Sequence, residues 1–221
     1  MAFEGFPKET VAFLAGLSKH NDKEWFEAHR DDYEASFLAP GLAFVEAIRS
    51  KLAKLTPKAS AERESMMRIY RDTRFAKDKR PYKDHLDLFF WCGKKKTWEA
   101  PGYFFRLTPT ILMLGSGMHT FAPATLAKYR KAVLDAKKGP SLARVVTALA
   151  KGGYEIGGET YKRVPRGADE DHPRAALLKH GGLYATWEGK LPKELFGPKA
   201  IDFVVARFEA TAPINAWLAG L

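Results

Sequence analysis

Two apolar runs, residues 103–107 and 111–114, are separated only by Thr108-Pro109-Thr110. A link that short joins neighbouring antiparallel strands, because a parallel pair needs a crossover of about a dozen residues or more. Residues 86–92 (Leu-Asp-Leu-Phe-Phe-Trp-Cys) are too short and too aromatic for a helix and read as another strand, and 66–70 as a short one. Further short strands are expected at 154–156, 161–164 and 183–187. Strands that cluster in the middle of a chain, without βαβ spacing, predict an α+β fold. Its mainly antiparallel sheet comes from the middle of the chain and is packed by N-terminal and C-terminal helices. With no internal repeat and no Ser/Gly linker, one domain is expected over residues 1–221.

The flanking segments carry helical periodicity. Val11, Phe13, Leu14 and Leu17 lie on one face of a helix opened by Pro7 and ending near Ser18. Asn21 and Glu24 have the spacing of a capping box, ahead of a helix bearing Trp25, Phe26, His29, Tyr33 and Phe37. Pro40 is expected to start a third helix, with Leu42, Val45, Ile48, Leu52 and Leu55 inward, that stops before Pro57. Later helices are expected at 123–136, through Leu142 to Leu149, and at 198–218, with a helical turn at 173–179. Lys94-Lys95-Lys96 forms a polar connection, and Gly115-Ser116-Gly117 ends a strand. Gly115-Ser116-Gly117-Met118-His119 resembles a strand-to-helix turn but lacks the Lys and Thr of a phosphate loop, so a plain glycine turn is the simpler assignment.

Charge is concentrated in Arg68-Ile69-Tyr70-Arg71-Asp72-Thr73-Arg74-Phe75-Ala76-Lys77-Asp78-Lys79-Arg80-Pro81-Tyr82-Lys83. Seven Lys or Arg against two Asp contribute +5 of the chain's formal net charge of +10. Aromatic residues interleave with the charges, which sets the segment apart from a solvated low-complexity tail. Arg71 and Arg74 offer planar donor forks suited to phosphate or carboxylate, and Lys79 and Lys83 add compact charges. Tyr82 brings a hydroxyl and a stacking face, while Asp72 and Asp78 can orient the bases. His85, in Lys83-Asp84-His85-Leu86-Asp87, is a candidate general acid or base, with Asp72 and Asp78 beside it in that role. No histidines fall at the spacing of a helical or finger-type metal site and Cys92 is alone, so no metal site is expected. A lone cysteine fits a reducing compartment, here the cytoplasm. The first residues show no basic region followed by an apolar core, and no apolar run approaches the roughly 18 residues of a membrane span.

The chain resembles a largely bacterial family catalogued as domain of unknown function 2461. The likeness rests first on Gly5-Phe6-Pro7, Phe13-Leu14, Asn21, Trp25-Phe26, Tyr33 and Pro40. Its centre is the Arg68 to Lys83 signature. Gly117, Leu126, Arg130, Lys162-Arg163-Val164-Pro165-Arg166-Gly167 and Asp171-His172-Pro173 follow. The sequence departs from the family pattern at Arg80 and Asp84, where small or hydroxyl residues are common, and near Gly181, where a basic residue is common. The resemblance implies a shared fold and a convergent set of polar positions, with no activity or cofactor attached.

Together these residues point to a module that binds an anionic, phosphate-bearing small molecule, and that hydrolyses or transfers it in an enzymatic version. Arg68, Arg71, Arg74, Lys79, Tyr82 and Lys83 would hold the ligand, joined by Lys162, Arg163, Arg166 and His172 from the later motif. Two alternatives stand beside it. One is a non-catalytic nucleic-acid-binding protein, consistent with a pI near 9.6. The other is a structural or interaction protein whose Arg–Asp cluster stabilises the fold.

Overall fold

Helical periodicity at the start of the chain produces α1 (Lys8–Lys19), α2 (Lys23–Ala28), α3 (Arg30–Asp32), a wide turn at Tyr33–Leu38 and α4 (Ala39–Leu55) in the computed structural model, which describes residues 3–93 and 99–221. The strands are β1 (Leu86–Trp91), β2 (Gly102–Leu107), β3 (Ile111–Met118), β4 (Glu155–Glu159) and β5 (His180–Lys190). Helices α5 (Pro123–Leu134), α6 (Lys138–Lys151), α7 (Ala175–Leu178) and α8 (Ala200–Ala219) complete the order. The strands form one sheet in the order β1-β2-β3-β5-β4. The fold is α+β, with helices at both ends of the chain. Among the described residues no helix is long and apolar enough to cross a membrane.

The chain divides into two compact units. Met1–Phe90, Phe104–Leu114 and Glu188–Ala206 make the first, and Trp91–Tyr103, Gly115–Trp187 and Arg207–Leu221 the second. Aromatic stacking centres the first: the rings of Phe6, Phe44 and Phe105 lie 5.1–5.7 Å apart and are fully buried. Phe13, Leu14 and Leu17 of α1 and Val45, Ile48 and Leu52 of α4 are buried on the faces their spacing predicts. The second unit packs Tyr129, Val133, Leu142, Leu183 and Ile214 into its own core.

Several expectations are corrected at the level of hydrogen bonds. The cap of α2 is Asp22, whose Oδ1 accepts from Trp25 N at 2.9 Å. Asn21 instead donates to Tyr82 O and accepts from Tyr82 N, both at 3.0 Å, as a strand backbone would. Pro40 does stand at the start of a helix that stops before Pro57, in the first turn of α4, but that helix follows directly on the wide turn. Widening the helix there removes the clash a proline ring makes with the preceding turn. Residues 66–70 form only isolated bridges, Met66 to Leu88 and Tyr70 to Tyr82. Their backbone changes partner midway, so no continuous ladder can build.

Gly115-Ser116-Gly117 continues β3 rather than ending it. Ser116 is buried and its hydroxyl donates to Thr211 O at 2.9 Å, which rules out the turn assignment. A Cβ on Gly117 would stand 2.2 Å from Leu183 O, so only glycine lets β5 approach so closely. β4 extends over the glycines beyond Ile156, with an irregular register between Gly157 and Glu159. Residues 161–164 do not form a strand, because Thr160 N and Tyr161 N both donate to Lys179 O and turn the chain away. Lys94-Lys95-Lys96 lies outside the described residues.

Burial pushes the Cys92 thiol up to about 12. Little thiolate exists at neutral pH, and the thiolate is the nucleophile. Alkylation by iodoacetamide at pH 8 should therefore run at least about tenfold slower than that of glutathione, as followed by mass spectrometry. A rate matching glutathione would contradict the placement.

Candidate functional site

Residues 69–71 and 81–83 run side by side: Arg71 N donates to Pro81 O at 2.9 Å and Lys83 N to Ile69 O at 2.8 Å. Beneath them Tyr82 is buried, its ring stacked on Phe26 at 4.2 Å, and Asn21 grips its backbone. Helix α2 and the connection just before it thus fix the base of the basic segment. Tyr82 is a packing residue in this position, and burial raises its phenol above the ordinary value.

The loop between these arms spends its carboxylates on its own arginines. Asp72 receives Arg74 Nε at 3.0 Å and Nη2 at 2.7 Å, a forked pair that also takes Arg74 N at 3.2 Å. Asp78 holds Arg80 through Nε at 2.9 Å and Arg71 through Nη1 at 2.9 Å. Arg74 lowers the Asp72 carboxyl below its usual range, and Arg80, then Arg71, does the same to Asp78. Arg71 and Arg74, three positions apart, are therefore bound to different carboxylates and do not converge. Lys79 Nζ donates to Thr73 O at 2.9 Å. These contacts set the shape of the loop. At its tip Phe75 is 95% exposed.

A second cluster sits where the segment enters β1. Asp87 is 4% exposed, and Arg106 from β2 forks onto it with Nε 2.7 Å from Oδ1 and Nη2 2.9 Å from Oδ2. His85 Nε2 lies 3.3 Å from Asp87 Oδ2, and its Nδ1 3.0 Å from Asp84 Oδ1. Both contacts donate at once only from the imidazolium form. Lys83 Nζ stands 3.9 Å from Asp87 Oδ2 and 4.0 Å from Met67 Sδ. Burial works to raise the Asp87 carboxyl, but hydrogen bonds from His85 and Arg106, with their charges, bring it below its ordinary value. Burial lowers the Lys83 ammonium; Asp87 opposes this, while Arg106 and Arg68 add to it. Arg68 is exposed and close enough for its charge to reach both Asp72 and Lys83.

Sequence reasoning named Lys83, His85 and Arg68 but missed Asp87 and Arg106. The available signal was a carboxylate and a guanidinium each embedded in an apolar strand, Leu-Asp-Leu and Phe-Phe-Arg-Leu, where a buried charge requires a partner.

The remaining candidates belong to the second unit. Lys162 and Arg163 line a pocket with Val164, Glu170, Ala176 and Lys179. Arg166 is exposed. His172 Nδ1 accepts from Arg174 N at 3.1 Å, so the imidazole holds the turn into α7. Among the described residues, no group of three His, Cys, Asp or Glu gathers to hold a metal.

No curated protein matches the chain. The family model described as a conserved hypothetical protein (DUF2461) matches residues 9–217, nearly the whole length, and the chain belongs to that family.

Proposed function

We propose that this protein binds a phosphorylated or otherwise anionic small molecule at the base of the basic segment, in the reducing environment of the cytoplasm. Lys83 carries the reading. Its ammonium is half-buried, yet the one carboxylate that pairs with it among the described residues is already taken by Arg106 and His85, leaving an ion pair at 3.9 Å. Arg68 brings a second cation to the same place, free of any carboxylate pair among the described residues. A half-buried cationic surplus of this kind is relieved by an incoming anion, which restores the interactions that burial removed. In an enzymatic version proton transfer would fall to His85, whose ring sits between Asp84 and Asp87 and would have to release one of them to reach a ligand, since Asp72 and Asp78 are held by arginines.

Titration calorimetry with inorganic phosphate, pyrophosphate and nucleoside phosphates tests this. Lys83→Met and Arg68→Ala should each weaken the best ligand by about tenfold or more, the loss expected for one charge-assisted contact. Unchanged affinity in both variants would overturn the proposal.

Phe75 favours a second reading. An aromatic ring exposed at a loop tip, flanked by Arg74, Lys77 and Lys79, suits a base of single-stranded nucleic acid stacked among phosphates. That reading requires oligonucleotide affinity that falls steeply with salt and drops on Phe75→Ala. A flat salt response removes it.

A further inference from the structure

We infer that the second unit carries an anion pocket of its own, suited to a small phosphomonoester that also bears hydroxyl groups, as a sugar phosphate or nucleoside phosphate does. The cavity measures about 560 Å³, within the range of small-molecule sites. Lys162, Arg163 and Lys179 supply three cations to its lining and Glu170 one carboxylate. None of the three cations forms an ion pair among the described residues, in contrast to the arginines of the 72–80 loop. The neighbouring acid Asp169 is engaged elsewhere, its Oδ1 accepting from Asp171 N at 2.9 Å. The charge imbalance is therefore open to a ligand.

The walls are held by the fold and do not depend on the cations. Thr160 N and Tyr161 N donate to Lys179 O at 3.1 and 3.0 Å, tying the start of the Lys162-Arg163-Val164 run to the end of α7. Arg174 Nε donates to Val133 O at 2.7 Å, anchoring the turn before α7 to the end of α5. Leu177 and Leu178 are buried in the core of this unit, and Val164 packs against it. The basic side chains are then free to take up a ligand without loosening the structure around them.

The mixed lining narrows the ligand class. Lysine and arginine together suit a phosphate, the first as a compact charge and the second as a planar fork. Glu170 repels a second anionic group but accepts hydrogen bonds from hydroxyl or amino donors. Val164, Ala175 and Ala176 offer apolar surface to C–H faces. A bare inorganic anion would use only the cations. A sugar carrying a phosphate would use all three kinds of lining.

The test is calorimetry on the full chain with ribose 5-phosphate, AMP and inorganic phosphate, using Lys179→Met, Glu170→Gln and Lys83→Met. Lys179→Met should weaken ribose 5-phosphate by about tenfold or more. Glu170→Gln should weaken it as well, while leaving inorganic phosphate unchanged or tighter. Tighter AMP than ribose 5-phosphate identifies a nucleoside phosphate, and equal affinities a sugar phosphate. Binding lost in Lys83→Met but untouched by Lys179→Met overturns the pocket and leaves the first site standing. Binding lost in Lys179→Met but untouched by Lys83→Met supports the pocket and counts against the first. Failure of all three probes to bind overturns it.

Discussion

Arg106→Leu is expected to destabilise the protein by about 3 kcal/mol, the low end of the penalty for stranding one partner of a buried ion pair. The low end applies because the Arg106 side chain is 34% exposed, and because His85 and Lys83 still face Asp87 after the change. The double variant Asp87→Asn/Arg106→Leu should recover a good part of the loss, since the buried carboxylate deprived of its guanidinium is then gone and only the weaker, 3.9 Å pair of Lys83 is lost with it. The pH dependence carries the sign. In the native protein the Asp87 carboxyl titrates below its unfolded value of about 3.9. Its contribution is therefore complete above that value and is lost as pH falls through the folded one. Without Arg106, burial is opposed more weakly and the folded value rises. The penalty should accordingly be largest at pH 7 and shrink on acidification, as Asp87 takes up a proton. Urea denaturation at pH 7 and near pH 4 measures both arms. A loss that does not change with pH would show that Arg106 acts through packing alone.

Gly117→Ala should cost about 4 kcal/mol, from backbone strain joined to overpacking against a neighbouring strand. Gly117 has φ +136°, and the added Cβ would stand 2.2 Å from Leu183 O and 2.5 Å from Tyr184 Cα. Neither atom is the end of a flexible side chain, so β3 and β5 must separate locally. Gly153→Ala is the matched control. Its φ is +82°, with nothing within 4 Å of the new Cβ, so it should lose only the left-handed strain of about 1–2 kcal/mol. Thermal melts of the two variants separate the effects. Equal losses would mean that conformational strain, and not contact with β5, requires glycine at position 117.

The parts of the fold that were legible in the sequence depend on near neighbours. The turn between β2 and β3 closes on itself: Thr108 N donates to Ile111 O at 3.0 Å, and Thr108 Oγ1 accepts from Ile111 N at 2.9 Å. The buried faces of α1 and α4 follow from spacing along one helix. Where a backbone group bonded across many residues, local signals misled. Asn21 has the chemistry of a helix cap, but Tyr82, 61 residues away, competes for its amide and Asp22 takes the cap. The glycines of β3 read as a turn because the strand that requires them lies about 70 residues later in the chain.

The same division runs through the candidate site. Sequence by itself determined that the excess charge lies in residues 68–83, that helices flank a hairpin-linked sheet, and which family the chain belongs to. Those are properties of composition and of contacts a few residues long. Only tertiary structure decided which cations are neutralised: Arg71, Arg74 and Arg80 by loop carboxylates, Arg106 by Asp87, with Lys83 left at longer range. A charge is satisfied or unsatisfied according to what lies within a few ångströms of it. The folded chain sets that distance, whereas the order of residues records only which groups are present.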